Sequence, residues 1–162
     1  MRTTLVSLFI LIGTVFWGAA AAAGVETEIT VVSPWIREAP PGARALAGYM
    51  ALHNHGNTNV SLVSASSPDF QEVMLHETIT RKKMATMVHL ERIEIPAKGQ
   101  ASLKPGGMHM MLMQPKRAFT VGDEATITLV FANGAKISAI FKVKKPSDNA
   151  PKTGSAHAEH HH

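Results

Sequence analysis

The sequence contains no cysteine in its 162 residues. Disulfide frameworks, thiolate zinc sites, iron–sulfur clusters and the His/Cys copper centre of electron-transfer proteins all require cysteine, so each is excluded from this chain. Attachment of a lipid to a processed N-terminal cysteine is excluded for the same reason. Any metal chemistry here must use other side chains.

The chain also lacks a strong charge of one sign. Its formal net charge is only +4, and its lysines are scattered rather than clustered with aromatic residues. Nucleic-acid binding is therefore not indicated. No Ser/His/Asp or paired-carboxylate arrangement suggests a hydrolase, so we expect the protein not to be an enzyme.

Long apolar runs are absent except at the N-terminus. One positive charge in Met1–Thr4 precedes an almost unbroken apolar run, Leu5–Trp17, and an Ala/Gly stretch, Gly18–Gly24. This layout predicts a secretory signal peptide over residues 1–23, with cleavage near Ala23 or Gly24. The run is short against the roughly 20 residues that a membrane span needs, although an uncleaved anchor remains the alternative.

Short, β-rich segments separated by turn residues follow from residue 24 to residue 144. Pro-Pro-Gly, Gly-Gly and Asn-Gly punctuate them, and no helical period is convincing. We expect an all-β antiparallel sandwich or barrel of about eight or nine short strands. The expected strands are Glu26–Trp35, Ala45–Asn54, Val60–Ser64, Gln71–Thr78, Thr86–Ile95, Ala101–Leu103, Met110–Gln114, Ala125–Phe131 and Ala135–Val143.

The last two expected strands should form a hairpin, because Asn133-Gly134 is the pair that a tight type I′ turn prefers. After them the composition changes, and residues 145–162 contain no large apolar side chain that could anchor them. We predict a disordered tail there. It contains His157, His160, His161 and His162, which form a possible auxiliary site for Cu(II) or another divalent metal.

The most unusual stretch is Gly106–Pro115, in which His109 lies among four methionines: Met108, Met110, Met111 and Met113. Thioether and imidazole donors without thiolate or carboxylate suit Cu(I) better than other common metals. The alternative is ordinary core packing, for which methionine is a frequent filler. Residues elsewhere in the chain favour the metal site.

Two further segments pair a histidine with a methionine at strand spacing. Residues two apart in a strand share one face. Met74 therefore accompanies His76, Met87 accompanies His89, and His109 shares its face with Met111 and Met113, whereas Met110 and Leu112 face the other way. If the three segments lie side by side, four soft ligands can converge on one metal ion.

The spacing of His76, Met87, His109 and Met111 is H-x10-M-x21-H-x-M. It resembles the ligand signature of the periplasmic copper chaperone family that serves the CuA centre of cytochrome c oxidase. The supporting context is also similar: Trp35-Ile36-Arg37 with Pro40-Pro41-Gly42, Gly48-Tyr49-Met50, Pro105-Gly106-Gly107 and Gly122-Asp123. The likeness extends from about Val25 to Val143.

The resemblance implies a cupredoxin-like Greek-key β-barrel that holds Cu(I) through His76, Met87, His109 and Met111. It also implies a periplasmic location and transfer of copper to the CuA domain of oxidase subunit II, with a thiol-bearing copper assembly factor as a possible further partner. Met74, His89 and Met113 exceed the motif and are expected beside the ligands rather than among them. A protein that only sequesters periplasmic copper would need the same ligands, so this function remains the alternative.

Overall fold

A computed structural model describes residues 28–82 and 84–146 of the chain. Its ten elements are all strands: β1 (Ile29–Arg37), β2 (Ala45–Asn54), β3 (Val60–Ser66), β4 (Phe70–Arg81), β5 (Met84–His89), β6 (Ile93–Ile95), β7 (Gln100–Leu103), β8 (Met108–Pro115), β9 (Glu124–Phe131) and β10 (Lys136–Lys144). The all-β prediction is confirmed. The described part contains no helix that could cross a membrane.

The predicted signal peptide and the tail histidines lie outside the described residues. Both remain predictions from the sequence.

Seven of the strands close into a barrel in the order β4-β8-β2-β1-β10-β9-β3, and β3 returns to β4 through the pair Ala65 and Val73. Only β1 and β10 run parallel; the other neighbours are antiparallel. The remaining strands extend this barrel, with β5 paired to β4, β6 to β3 and β7 to β2. Among the described residues, β5 is therefore an edge strand, bonded on one side only.

Alternate residues of the barrel strands point into a single apolar core. Leu52, Leu62, Ile127 and Phe141 are each fully buried there. On β8 the inward residues are Met110 and Leu112, both at 0% exposure, which confirms the predicted division of this strand into two faces. Burial of each such side chain contributes roughly 1.5 to 3 kcal/mol.

The prediction of one strand over Thr86–Ile95 was wrong, because the chain divides there into β5 and β6. The two strands pair with different neighbours, β4 and β3, so the backbone must leave one edge and cross to another. Leu90 makes the crossing: its N–H donates to the carbonyl of Leu75 at 2.8 Å, and its side chain packs against the core. The alternation of apolar and polar residues along a segment does not determine which strands it pairs with.

The β9–β10 hairpin is present, but its turn is not of type I′. That turn needs positive φ at two residues, and only Gly134 has it, at 83°. The N–H of Gly134 donates to the carbonyl of Phe131 at 2.9 Å, and Phe131 in turn donates to Ala135 at 2.9 Å. A three-residue loop that ends in a left-handed glycine therefore joins the strands.

A β-bulge in β1 shifts its register with β2 by one residue. Ser33 has a φ of 49°, and the register with β2 shifts between Val32 and Trp35. Such a bulge inserts one extra residue into one strand of the pair. Trp35 therefore lies opposite Tyr49, with their rings 4.7 Å apart.

Candidate metal centre

Three adjacent strands carry the predicted ligands. In β4, His76 pairs with His109 of β8 on one side and with His89 of β5 on the other. Directly opposite residues project from the same face of a sheet. The ring centroid of His76 lies 6.1 Å from that of His109 and 5.5 Å from that of His89. We call these three side chains the histidine row.

The two predicted methionine ligands flank His76 diagonally. Met111 pairs with Met74, on one side of the row, and Met87 pairs with Thr78, on the other side. Diagonal neighbours in a sheet lie about 7 to 8 Å apart, which is within reach of long side chains. All four predicted ligands thus share one face around His76, and only His109 lies directly opposite it.

Exposure increases across this face from β8 to β5. His109 is buried at 5% exposure, His76 and Met111 are half-buried, and Met87 is 59% exposed. The centre is therefore anchored in the barrel on one side and open to solvent at the edge strand. A metal ion held here would be approachable from the β5 side.

A hydrogen bond to the backbone leaves Nε2 of His109 available to bind a metal. Its Nδ1 lies 3.0 Å from the carbonyl oxygen of Gly107, which can only accept, so Nδ1 carries the hydrogen and Nε2 presents a lone pair. Gly107 belongs to the turn before β8, where Gly106 adopts a φ of 80°. A second-sphere carbonyl of this kind fixes both the tautomer and the ring orientation of a ligating histidine.

His76 has no such partner. Its Nδ1 is buried and makes no hydrogen bond within the described residues. Burial, and then the neighbouring His109 and His89, lower the pKa of His76 below its ordinary value. Neutral imidazole is the form that binds a metal, and a buried nitrogen without a partner is costly unless something binds it.

Two aromatic residues continue the line of the histidine row on the next two strands, Tyr49 on β2 and Trp35 on β1. Tyr49 lies next to His109 with ring centroids 6.4 Å apart, and Trp35 lies behind Tyr49. Both are buried, at 5% and 7% exposure. Burial raises the pKa of Tyr49 by more than the nearby charge of Arg37 lowers it, so the phenol stays protonated. The sequence pointed to these two residues only through the family resemblance.

The three residues beyond the motif occupy different places. His89 belongs to the histidine row and is exposed. Met74 lies opposite Met111, and Met113 lies two pairs further along, opposite Glu72. Within residues 28–82 and 84–146, no three His, Asp or Glu side chains are placed to hold a metal together as they stand. A site on this face therefore needs thioether donors or the rotation of a ring.

A cleft of about 610 Å³ lies elsewhere, between the Pro40-Pro41-Gly42 loop and the segment after β8. Arg44, Arg117 and Phe119 are among its lining residues, and none of the predicted ligands is. We assign no part of the metal centre to it.

Comparison with known proteins assigns most of this chain to one family. The family described as "Putative lipoprotein LpqE-like" matches residues 29–143. The protein Lxx21020 of Leifsonia xyli subsp. xyli, which carries the same lipoprotein description, is 32% identical over 117 residues, covering 72% of this chain and 69% of its own. The uncharacterized protein RP573 of Rickettsia prowazekii is 30% identical over 128 residues, covering 76% and 70%.

Solved structures agree with this assignment. The copper-bound PCuAC domain from PmoF2 is 25% identical with a TM-score of 0.63, covering 74% of this chain and 94% of that domain. The Cu(I) form of DR1885 from Deinococcus radiodurans is 33% identical with a TM-score of 0.55, covering 78% and 84%. The cupredoxin-like barrel implied by the family resemblance is thereby confirmed. From residue 29 to residue 143, this chain belongs to the LpqE-like family and is a PCuAC protein.

Proposed function

We propose that this protein is an exported metallochaperone that binds Cu(I) through His76, Met87, His109 and Met111. One observation carries the proposal: the strand register puts His76 opposite His109, with Met111 and Met87 diagonally on either side. The copper-bound and Cu(I) forms of its structural relatives support the choice of metal. Copper is the cargo of such a protein rather than a resident cofactor.

The donor chemistry suits a metal that must be released. Thioethers and neutral imidazoles carry no charge, so no ligand has to be reprotonated when Cu(I) leaves. The exposure of Met87 on the edge strand lets an acceptor replace this ligand first, while the buried His109 holds the ion. Stepwise exchange of this kind keeps the metal bound throughout the transfer.

We propose the CuA domain of cytochrome c oxidase subunit II as the acceptor, with a thiol-bearing copper assembly factor as a further partner. Thiolates bind Cu(I) more strongly than thioethers, so transfer would run from this protein to them. The periplasm is the proposed location. The N-terminal pattern of the sequence and the lipoprotein description of its relatives support export.

Anaerobic Cu(I) titration against a chromophoric competitor, with X-ray absorption at the copper edge, tests the site. We expect one tight equivalent with mixed sulfur and nitrogen scattering, and at least about tenfold weaker binding in Met87→Ala and Met111→Ala. Met84→Ala is the matched control, because Met84 is 71% exposed on the same strand but faces the other way. Equal affinity in all three variants would refute the site.

Transfer is tested separately by mixing the Cu(I)-loaded protein with a purified, copper-free CuA domain. Copper in the re-isolated CuA domain, together with the CuA absorption bands after one-electron oxidation by ferricyanide, would support the chaperone function. Intact binding without transfer would favour the alternative, a protein that sequesters copper. Deletion of the gene would then impair copper tolerance rather than oxidase assembly.

A further inference from the structure

The position directly across from His76 on the edge strand is occupied by His89, not by the predicted ligand Met87. The two imidazole rings are 5.5 Å apart and nearly perpendicular, at 82°. On the other side, His76 and His109 are 6.1 Å apart at 68°. His76 is therefore the central member of three imidazoles contributed by three adjacent strands.

These separations fit ligands of a common ion. With nitrogen–metal bonds of roughly 2 Å, two imidazoles on one metal place their ring centroids roughly 4.5 to 6.3 Å apart, depending on the angle at the metal. Both observed separations fall within this range. The register thus supplies the spacing for two of the three imidazole pairs, whereas His89 and His109 lie on strands separated by β4 and must approach each other to share an ion.

One movement is needed to complete the set, because the three side chains are not placed to hold a metal as they stand. His89 is exposed and lies on β5, which has one bonded neighbour in the part of the chain that the structure describes. We infer that its ring can reorient about the side-chain torsions, because the side chain lies at the surface. His109 is held in place by Gly107, and Nδ1 of His76 has no hydrogen-bond partner within the described residues.

We propose that His89 joins His76 and His109 in an all-imidazole donor set that binds Cu(II) at the same centre. Cu(II) favours nitrogen and oxygen donors, whereas thioethers favour Cu(I). The two oxidation states would share His76 and His109. Cu(II) would add His89 of β5, whereas Cu(I) would add Met87 of β5 and Met111 of β8. The inference rests on the proposed copper site and adds to it a ligand for the oxidised ion.

The test uses the full-length chain with His157, His160, His161 and His162 replaced by alanine, so that the tail contributes no imidazole. Pulsed electron paramagnetic resonance of the Cu(II)-loaded protein counts the coordinated imidazoles, and competition with a Cu(II) chelator measures affinity. We expect three imidazoles, falling to two in His89→Gln with at least about tenfold weaker Cu(II) binding. Cu(I) affinity should change less than about twofold.

Two matched variants separate the possibilities. His55→Gln removes an exposed histidine outside the row, which contacts Thr30 instead, and should leave both affinities unchanged. Met87→Ala should weaken Cu(I) binding and leave the Cu(II) spectrum as it is. The opposite dependence of the two ions on neighbouring β5 residues is the result that supports the inference.

An unchanged imidazole count in His89→Gln would overturn the inference. Equal weakening of Cu(I) and Cu(II) by this substitution would also overturn it, because His89 would then support the site without distinguishing the ions. Neither result affects the proposed Cu(I) site, which fails if Met87→Ala and Met111→Ala leave Cu(I) binding intact.

Discussion

Nδ1 of His109 lies 3.0 Å from the carbonyl oxygen of Gly107, and the same carbonyl accepts the N–H of Thr78 at 3.1 Å. One backbone group therefore orients a candidate ligand on β8 and ties it to β4, the strand that carries His76. The turn before β8 is a part of the metal centre although it supplies no ligand.

The turn can be tested at Gly106, whose φ of 80° is unfavourable for residues with a side chain. Gly106→Ala should lower the free energy of unfolding by about 1 to 2 kcal/mol and also weaken Cu(I) binding, since Gly107 would shift. Gly134→Ala is the control, because Gly134 has a φ of 83° in the distant β9–β10 loop. A similar loss of stability with unchanged copper affinity is expected there. Equal effects on copper would contradict the role of the turn.

Adjacent methionines on β8 should behave in opposite ways. Met110 is fully buried in the core, so Met110→Ala should lower the free energy of unfolding of the metal-free protein by about 2 to 5 kcal/mol and retain one equivalent of Cu(I). Met111→Ala should cost less stability and weaken copper binding. Chemical denaturation and Cu(I) titration of both variants provide the measurements. A reversal of the two patterns would show that the face division has been assigned to the wrong residues.

The metal-free protein should lose stability as the pH falls below 6.5, in part because of His76. Its pKa is lowered in the folded state, so the unfolded chain takes up this proton first and is favoured as the pH decreases towards the folded pKa. Above the unfolded pKa this penalty is absent. His76→Gln should flatten the dependence of unfolding free energy on pH between about 7 and 5. If the slope stays the same, His76 is not responsible.

Tyr49 should act through its ring rather than through its hydroxyl. The ring packs between Trp35 and His109, and the side chain is 5% exposed. Tyr49→Phe should retain copper affinity, whereas Tyr49→Ala should lower the free energy of unfolding by about 3 to 5 kcal/mol and weaken Cu(I) binding. Thermal unfolding and competitor titration distinguish the two. A loss of copper affinity in Tyr49→Phe would instead assign the effect to the hydroxyl.

The sequence was sufficient to predict the all-β class, the sharing of one face of β8 by His109 and Met111, and the placement of Met110 and Leu112 on the other face. Each of these follows from the two-residue period of an extended strand, which is a local property. The family likewise followed from the sequence, because its ligand spacing is readable along one chain.

Which residues meet across strands followed only from the strand pairing of the folded protein. Nothing in the local pattern distinguishes a register with Met87 opposite His76 from the observed register with His89 there, since a shift by two residues preserves the face. The division of Thr86–Ile95 into two strands depends on pairing with two different strands, β4 and β3. The β1 bulge that brings Trp35 opposite Tyr49 depends likewise on pairing with β2. Strand pairing joins residues distant in sequence, and the packing of the closed barrel selects among registers that the sequence pattern leaves equivalent.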